Sequence, residues 1–100
     1  PAGVDVLVTH TPPAGHLDSA WRAGSVGCAE LAVAVERLQP RIHAFGHIHE
    51  GFGLEEEVWA GGNETVYVNA ASVDVSCDPV HPPVVIDAFL PGRELCLGGK

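Results

Sequence analysis

Apolar and polar residues change period along the chain, and each change marks an element. Residues 4–9, VDVLVT, are a short β-branched apolar run, and Pro12 with Pro13 cannot extend a hydrogen-bonded ladder, so a buried strand is expected there. AGHLDSAWRAG has loop composition, after which Ser25 is placed to cap a helix over residues 26–38. Within it Cys28, Leu31, Ala32, Val35 and Leu38 recur at helical spacing, while Glu30, Glu36 and Arg37 fall on the wet side, and Pro40 stops it. RIHAF, residues 41–45, is a second short strand halted by Gly46. EVWA, the turn GGNE and TVYVN then read as a hairpin, a loop rich in Asp, Ser and Pro follows, and PVVIDAF, residues 83–89, with RELCL, predicts closing strands. The fold class is α/β: a mixed sheet with a βαβ unit, then a hairpin and C-terminal strands.

Composition narrows the function. Five basic against thirteen acidic residues give a formal charge of −8, which repels a phosphate backbone and excludes long nucleic acid as a partner. Cys28, Cys77 and Cys96 are odd in number and widely spaced, so reduced thiols and an intracellular, cytoplasmic setting are expected rather than a disulfide framework. No apolar run approaches the roughly 20 residues of a membrane span, so no membrane partner is expected. NET at Asn63 matches a glycosylation sequon but reads as a chance match in a turn. Because the first strand begins almost at once, the chain reads as starting inside a domain.

The βαβ unit gives the histidines a geometry. Such units place their strands parallel and usually adjacent, so their carboxyl ends line up. His10 follows the first strand and His47 the second, so in neighbouring strands about 4.8 Å apart both imidazoles leave the same edge. In open α/β sheets that edge is where ligands bind. His49, two residues past His47, projects to the same side if the chain stays extended, and the three imidazoles then converge as candidate metal ligands for zinc, iron or manganese. Gly46 and Gly51 allow the backbone to turn tightly around them.

Other residues carry weaker claims. His16 in GHLD is placed to reach a substrate phosphate or leaving group, or to be a solvated loop histidine. Asn69 and Ser72 in VNAAS fall beside the same edge, with Asn69 expected to satisfy loop backbone groups behind the ligands. Glu50 could orient a ligand imidazole, or simply face water. Glu55 to Glu57 reads as a solvated acidic turn, His43 and His81 as ordinary packed or surface histidines, and Trp21 and Trp59 as packing residues.

VDVLVTHTPP, followed some way on by FGHIHEGFG, resembles the carboxyl-terminal half of a calcineurin-like metallophosphoesterase, in which GHxH is the signature element. THTPP with GHLD, VGC with EL, QPRIHAFGHIHEGFG, YVNAAS and HPPVVID are closer still to the small metallophosphoesterase domain-containing proteins and their fungal relatives. The resemblance covers nearly the whole chain. It implies a four-layer αββα sandwich holding two divalent ions among Mn, Fe, Zn and Mg, and hydrolysis of a small phosphomono- or diester by hydroxide that the metals activate. It also implies that His10 and His47 bind the second metal and His49 the first.

The family's DxH, GDxxD and GNH motifs are absent from these residues, so residues 1–100 correspond to the C-terminal part of such a domain, its N-terminal half a missing partner. Three neutral histidines bring no negative charge against two dications, and negligible turnover is expected of the chain alone. Two alternatives stand beside the hydrolase reading. One is a non-catalytic domain binding a single zinc through the three histidines for interaction; the other is a truncated pseudoenzyme that folds poorly.

Overall fold

The parallel pair at the centre of that reading forms. In the computed structural model, which describes residues 3–20, 23–72 and 78–87, Val6–Val8 (β1) lies beside Ile42–Phe45 (β4), with Val6 opposite Ile42 and Val8 opposite Ala44. Between them come a two-stranded hairpin of Ser19–Ala20 (β2) with Gly24–Ser25 (β3), then the helix Ala29–Leu38 (α1). A single 3-10 turn, His49–Gly51, leads into Gly53–Val58 (β5) and Glu64–Asn69 (β6). The main sheet is mixed, in the order β1-β4-β6-β5, with β6 parallel to β4 and antiparallel to β5.

Strand alternation sorts the sheet into two unlike faces. Leu7, Phe45 and Tyr67 share one face and pack with Val35 and Leu31 of α1; Val35 and Tyr67 are each 1% exposed. Trp59 closes the far side of this core and donates to Thr65 Oγ1 at 2.8 Å, while Thr65 donates to Pro40 O at 2.6 Å. The other face carries Val6, Val8, Ile42, Ala44, Val66, Val68, Leu54 and Val58, with Glu56 and Glu64 among them, as the pairing register dictates. Val8 is 72% exposed, Val58 67% and Leu54 57%, so the outer strands of this face are apolar and uncovered, whereas Val68 at its centre is buried.

The helix begins later than the sequence suggested. Ser25 does not cap it, because Ser25 pairs with Ser19 and its hydroxyl is bound by Asp18; Cys28 caps instead, its sulfur accepting from Leu31 N at 3.4 Å. The stretch expected to be plain loop therefore holds the small hairpin, organised by Asp18, whose carboxylate also accepts from Gly15 N and Gly27 N, both at 2.9 Å. Burial raises the Asp18 pKa, but the bonds from Ser25, Gly15, Gly27 and its own backbone outweigh it and leave the group below its ordinary value. At the other end Gln39 takes a left-handed turn, φ 46°, and its N–H reaches Val35 O at 2.7 Å, with Pro40 behind it.

Two further expectations fail. Glu55 to Glu57 is no turn but the middle of β5, since alternation with Leu54 and Val58 outweighs the local charge. Residues 83–87 form no strand, Pro82 and Pro83 having removed two donors; the rest of PVVIDAF, RELCL and Trp21 lie outside the described residues.

Gly27 is where the small hairpin presses on the loop after β1: a Cβ there would meet the Pro13 carbonyl, with its carbon at 2.6 Å and Ala14 Cα at 2.8 Å. Gly27→Ala should therefore lower stability by about 1–3 kcal/mol in urea titrations. Gly61→Ala, where nothing lies within 4 Å, should change it by less than about 0.5 kcal/mol.

Candidate functional site

Parallel pairing of β1 with β4 brings the two chain exits to one edge. Thr9 N donates to Ala44 O at 3.0 Å and Gly46 N to His10 O at 3.1 Å, so the ladder runs one step past the strands and holds the two backbones together. The His10 and His47 rings, both exposed, lie with centroids 4.7 Å apart and planes tilted by 40°. His47 sits at φ 71°, a left-handed conformation costing a non-glycine residue about 1–2 kcal/mol. Strain of this kind is typical of residues aimed for a purpose.

The same φ changes the fate of His49. Extended backbone would have carried its ring to the side of His47; instead the chain bends, Ile48 N bonding Gly46 O at 2.8 Å, and His49 opens the 3-10 turn. Among the described residues no group of three or more His, Cys, Asp or Glu is arranged to hold a metal, so the structure joins His10 to His47 but does not gather His49 with them. Glu50 lies exposed in that turn. Two neutral imidazole nitrogens are a fit donor set for one flank of a divalent ion, and too few for a whole site.

Asn69 ties the surrounding loops together. Fully buried at the end of β6, it donates to Leu17 O at 3.0 Å and Ile48 O at 2.9 Å and accepts from Ala71 N at 3.0 Å. Gly51 packs so closely against Leu17 O and the Asn69 amide that a Cβ has no room. His81 packs on the same loops, its Nδ1 at 3.0 Å from Ala71 O and its ring stacked on Phe52 at 4.1 Å. A hollow lined by Asp5, Leu38, Arg41, Asn63, Glu64 and Ile86 lies at the amino end of β1 and β4, away from this edge.

His16 is held by partners on the sheet. It lies on the helix-side face, stacked on Tyr67 at 4.0 Å and 8°, with Nδ1 2.7 Å from Glu55 and Nε2 3.3 Å from Glu57. Tyr67 donates to Glu57 at 3.4 Å, and burial together with Glu57 and Glu55 pushes its hydroxyl pKa up, so it stays a donor. The signal for this cluster was the two glutamates spaced by two on a strand.

His43 is a packed histidine, one of the two outcomes the sequence left open for it. It is fully buried, with Nε2 3.0 Å from Thr9 Oγ1. Thr9 has one hydroxyl proton and gives it to Thr11 O at 2.8 Å, so the proton shared with His43 belongs to the ring. Nδ1 then carries a lone pair, buried without a partner among the described residues.

No family model matches the chain. Over 95 residues it is 52% identical to Metallophosphoesterase domain-containing protein 1 of Homo sapiens, and equally to that of Mus musculus, an alignment covering 91% of this chain and 27% of those proteins. A UPF0046 protein of Caenorhabditis elegans is 43% identical over 88 residues, covering 87% of this chain and 21% of that protein. The chain thus spans about a quarter of the length of the curated relatives it matches.

Burial, with His16 adding repulsion, lowers the His43 pKa from 6.5 to about 4. The unfolded chain takes up a proton near 6.5 and the folded chain resists it, so the stability this group contributes is present above that pH and lost as pH falls through about 4. In denaturant titrations from pH 7 to 4, His43→Leu should show a flatter decline than the parent. Ring NMR should find His43 still neutral at pH about 5.

Proposed function

We propose, from this kinship with the metallophosphoesterase domain-containing proteins, that the chain supplies one flank of a divalent-metal site that hydrolyses phosphoric esters. The observation that carries the reading is the His10 and His47 ring pair, 4.7 Å apart at the carboxyl ends of adjacent parallel strands. Divalent ions bound there would supply Lewis-acid chemistry, lowering the pKa of water and offsetting charge on the ester oxygens. His10 and His47 would hold one ion, and His49, in the turn that follows, would serve a second. Asn69 fixes the loops behind them, and the remaining, anionic ligands come from the rest of the domain. A small phosphoester suits the strongly negative chain better than a long nucleic acid does.

The domain proposal rests on the sheet. One face packs against α1, whereas Val8, Leu54 and Val58 leave the outer strands of the other face apolar and wet. A second sheet laid on that face, with its own helices outside, completes a four-layer αββα sandwich and is the place from which the missing ligands arrive. A solitary zinc domain is less favoured, since within this chain only two of the three histidines lie together.

The test is manganese-dependent hydrolysis of bis(p-nitrophenyl) phosphate by a protein carrying this chain within a complete domain. His10→Ala and His47→Ala should each lower the rate on the order of 100-fold or more, and residues 1–100 alone should give only background. Unchanged rates in both variants would overturn the assignment.

A further inference from the structure

The proton direction at Thr9 assigns His43 a task. We propose that His43 is the positioning residue of the histidine pair, clamping through Thr9 the turn from which His10 projects; this rests on the metal-site reading above. The geometry is a relay across the two strands. Nε2–H of His43, on β4, reaches Thr9 Oγ1 at 3.0 Å, and Thr9 passes its own proton to Thr11 O at 2.8 Å. Thr9 and Thr11 flank His10, so this two-bond chain closes the backbone around it, while Gly46 N, one residue before His47, holds His10 O at 3.1 Å. His10 is thereby fixed to β4 from both sides of its own Cα.

Only a neutral ring with its proton on Nε2 fits. A proton on Nδ1 would be a buried donor with no acceptor among the described residues, whereas a bare lone pair there is the milder defect. The ring is wedged between Phe45, with centroids 4.9 Å apart, and Tyr67, at 5.9 Å, and cannot swing away from Thr9 without disturbing the core. Thr9 faces the helix side with His43, so by alternation His10 leaves on the other, and the clamp acts on the ligand from behind. Neighbours of this kind, bonded to the chain that bears a ligand, commonly set metal affinity by about 10–100-fold.

Two readouts on the chain separate this proposal from the reading it rests on. Cross-relaxation between the His10 and His47 rings, measured by NMR without metal, should vanish in His43→Leu and in Thr9→Val, but persist in His43→Gln, whose amide can still donate to Thr9. Cobalt(II) added alone and followed by its visible absorption should bind about 10–100-fold more weakly to His43→Leu and to Thr9→Val, no worse to the double variant, and within about threefold of the parent to His43→Gln. Circular dichroism identifies any variant that fails to fold, and Thr9→Val, which changes no core ring, is then decisive. Ring contacts that survive in folded Thr9→Val or His43→Leu overturn the clamp, whatever the cobalt result. If His10→Ala and His47→Ala bind cobalt as the parent does, it is the metal-site reading that falls, while the ring contacts still decide the clamp.

Discussion

Parallel pairing between β1 and β4 is the constraint from which the candidate site follows. Because Val8 stands opposite Ala44, His10 falls level with Gly46, and His47, one residue on and in a left-handed turn, has its ring beside that of His10. A slip of one residue would turn every side chain of β1 to the opposite face, burying Val8 and sending Leu7 into water. The hydrophobic core of Val35, Phe45 and Tyr67 therefore fixes the register, and the register fixes the histidines. Packing on one side of the sheet decides chemistry at its end.

Much of this was legible in the sequence because it depends on period and order. Two short strand-like runs separated by an apolar helical stripe specify neighbouring parallel strands, and the histidine after each run follows directly. Asn69 as a loop fastener was equally readable, being a buried polar residue at a strand end. What escaped reading depends on dihedral angles and on which partner reaches a polar group first. His49 was expected on an extended chain, but the left-handed His47 bends the path. Ser25 was expected at the head of the helix, but Asp18 had already engaged its hydroxyl. Glu55 and Glu57 looked like a solvated turn until the strand gave them His16 to face.

The two faces of the sheet have different jobs. On the helix side, polar groups are paired: His16 between two carboxylates, His43 with Thr9, Thr65 with Pro40 and Trp59. That network stiffens the strands from beneath. The opposite face is mostly valine, leucine and isoleucine, with Glu56, in register with Val66, and Glu64, in register with Val58, as the charged exceptions. A surface of that composition is suited to burial against another layer, and no helix among the described residues is long and apolar enough to cross a membrane.

The strand order has a consequence for how the chain is made. β6 lies between β4 and β5, although it is the last of the four to leave the ribosome. Until residue 69 has emerged, β4 has an unsatisfied edge and β5 has no neighbour, so the sheet cannot close progressively during synthesis. Insertion of β6 joins both halves in one event and brings Tyr67, at its middle, into the core.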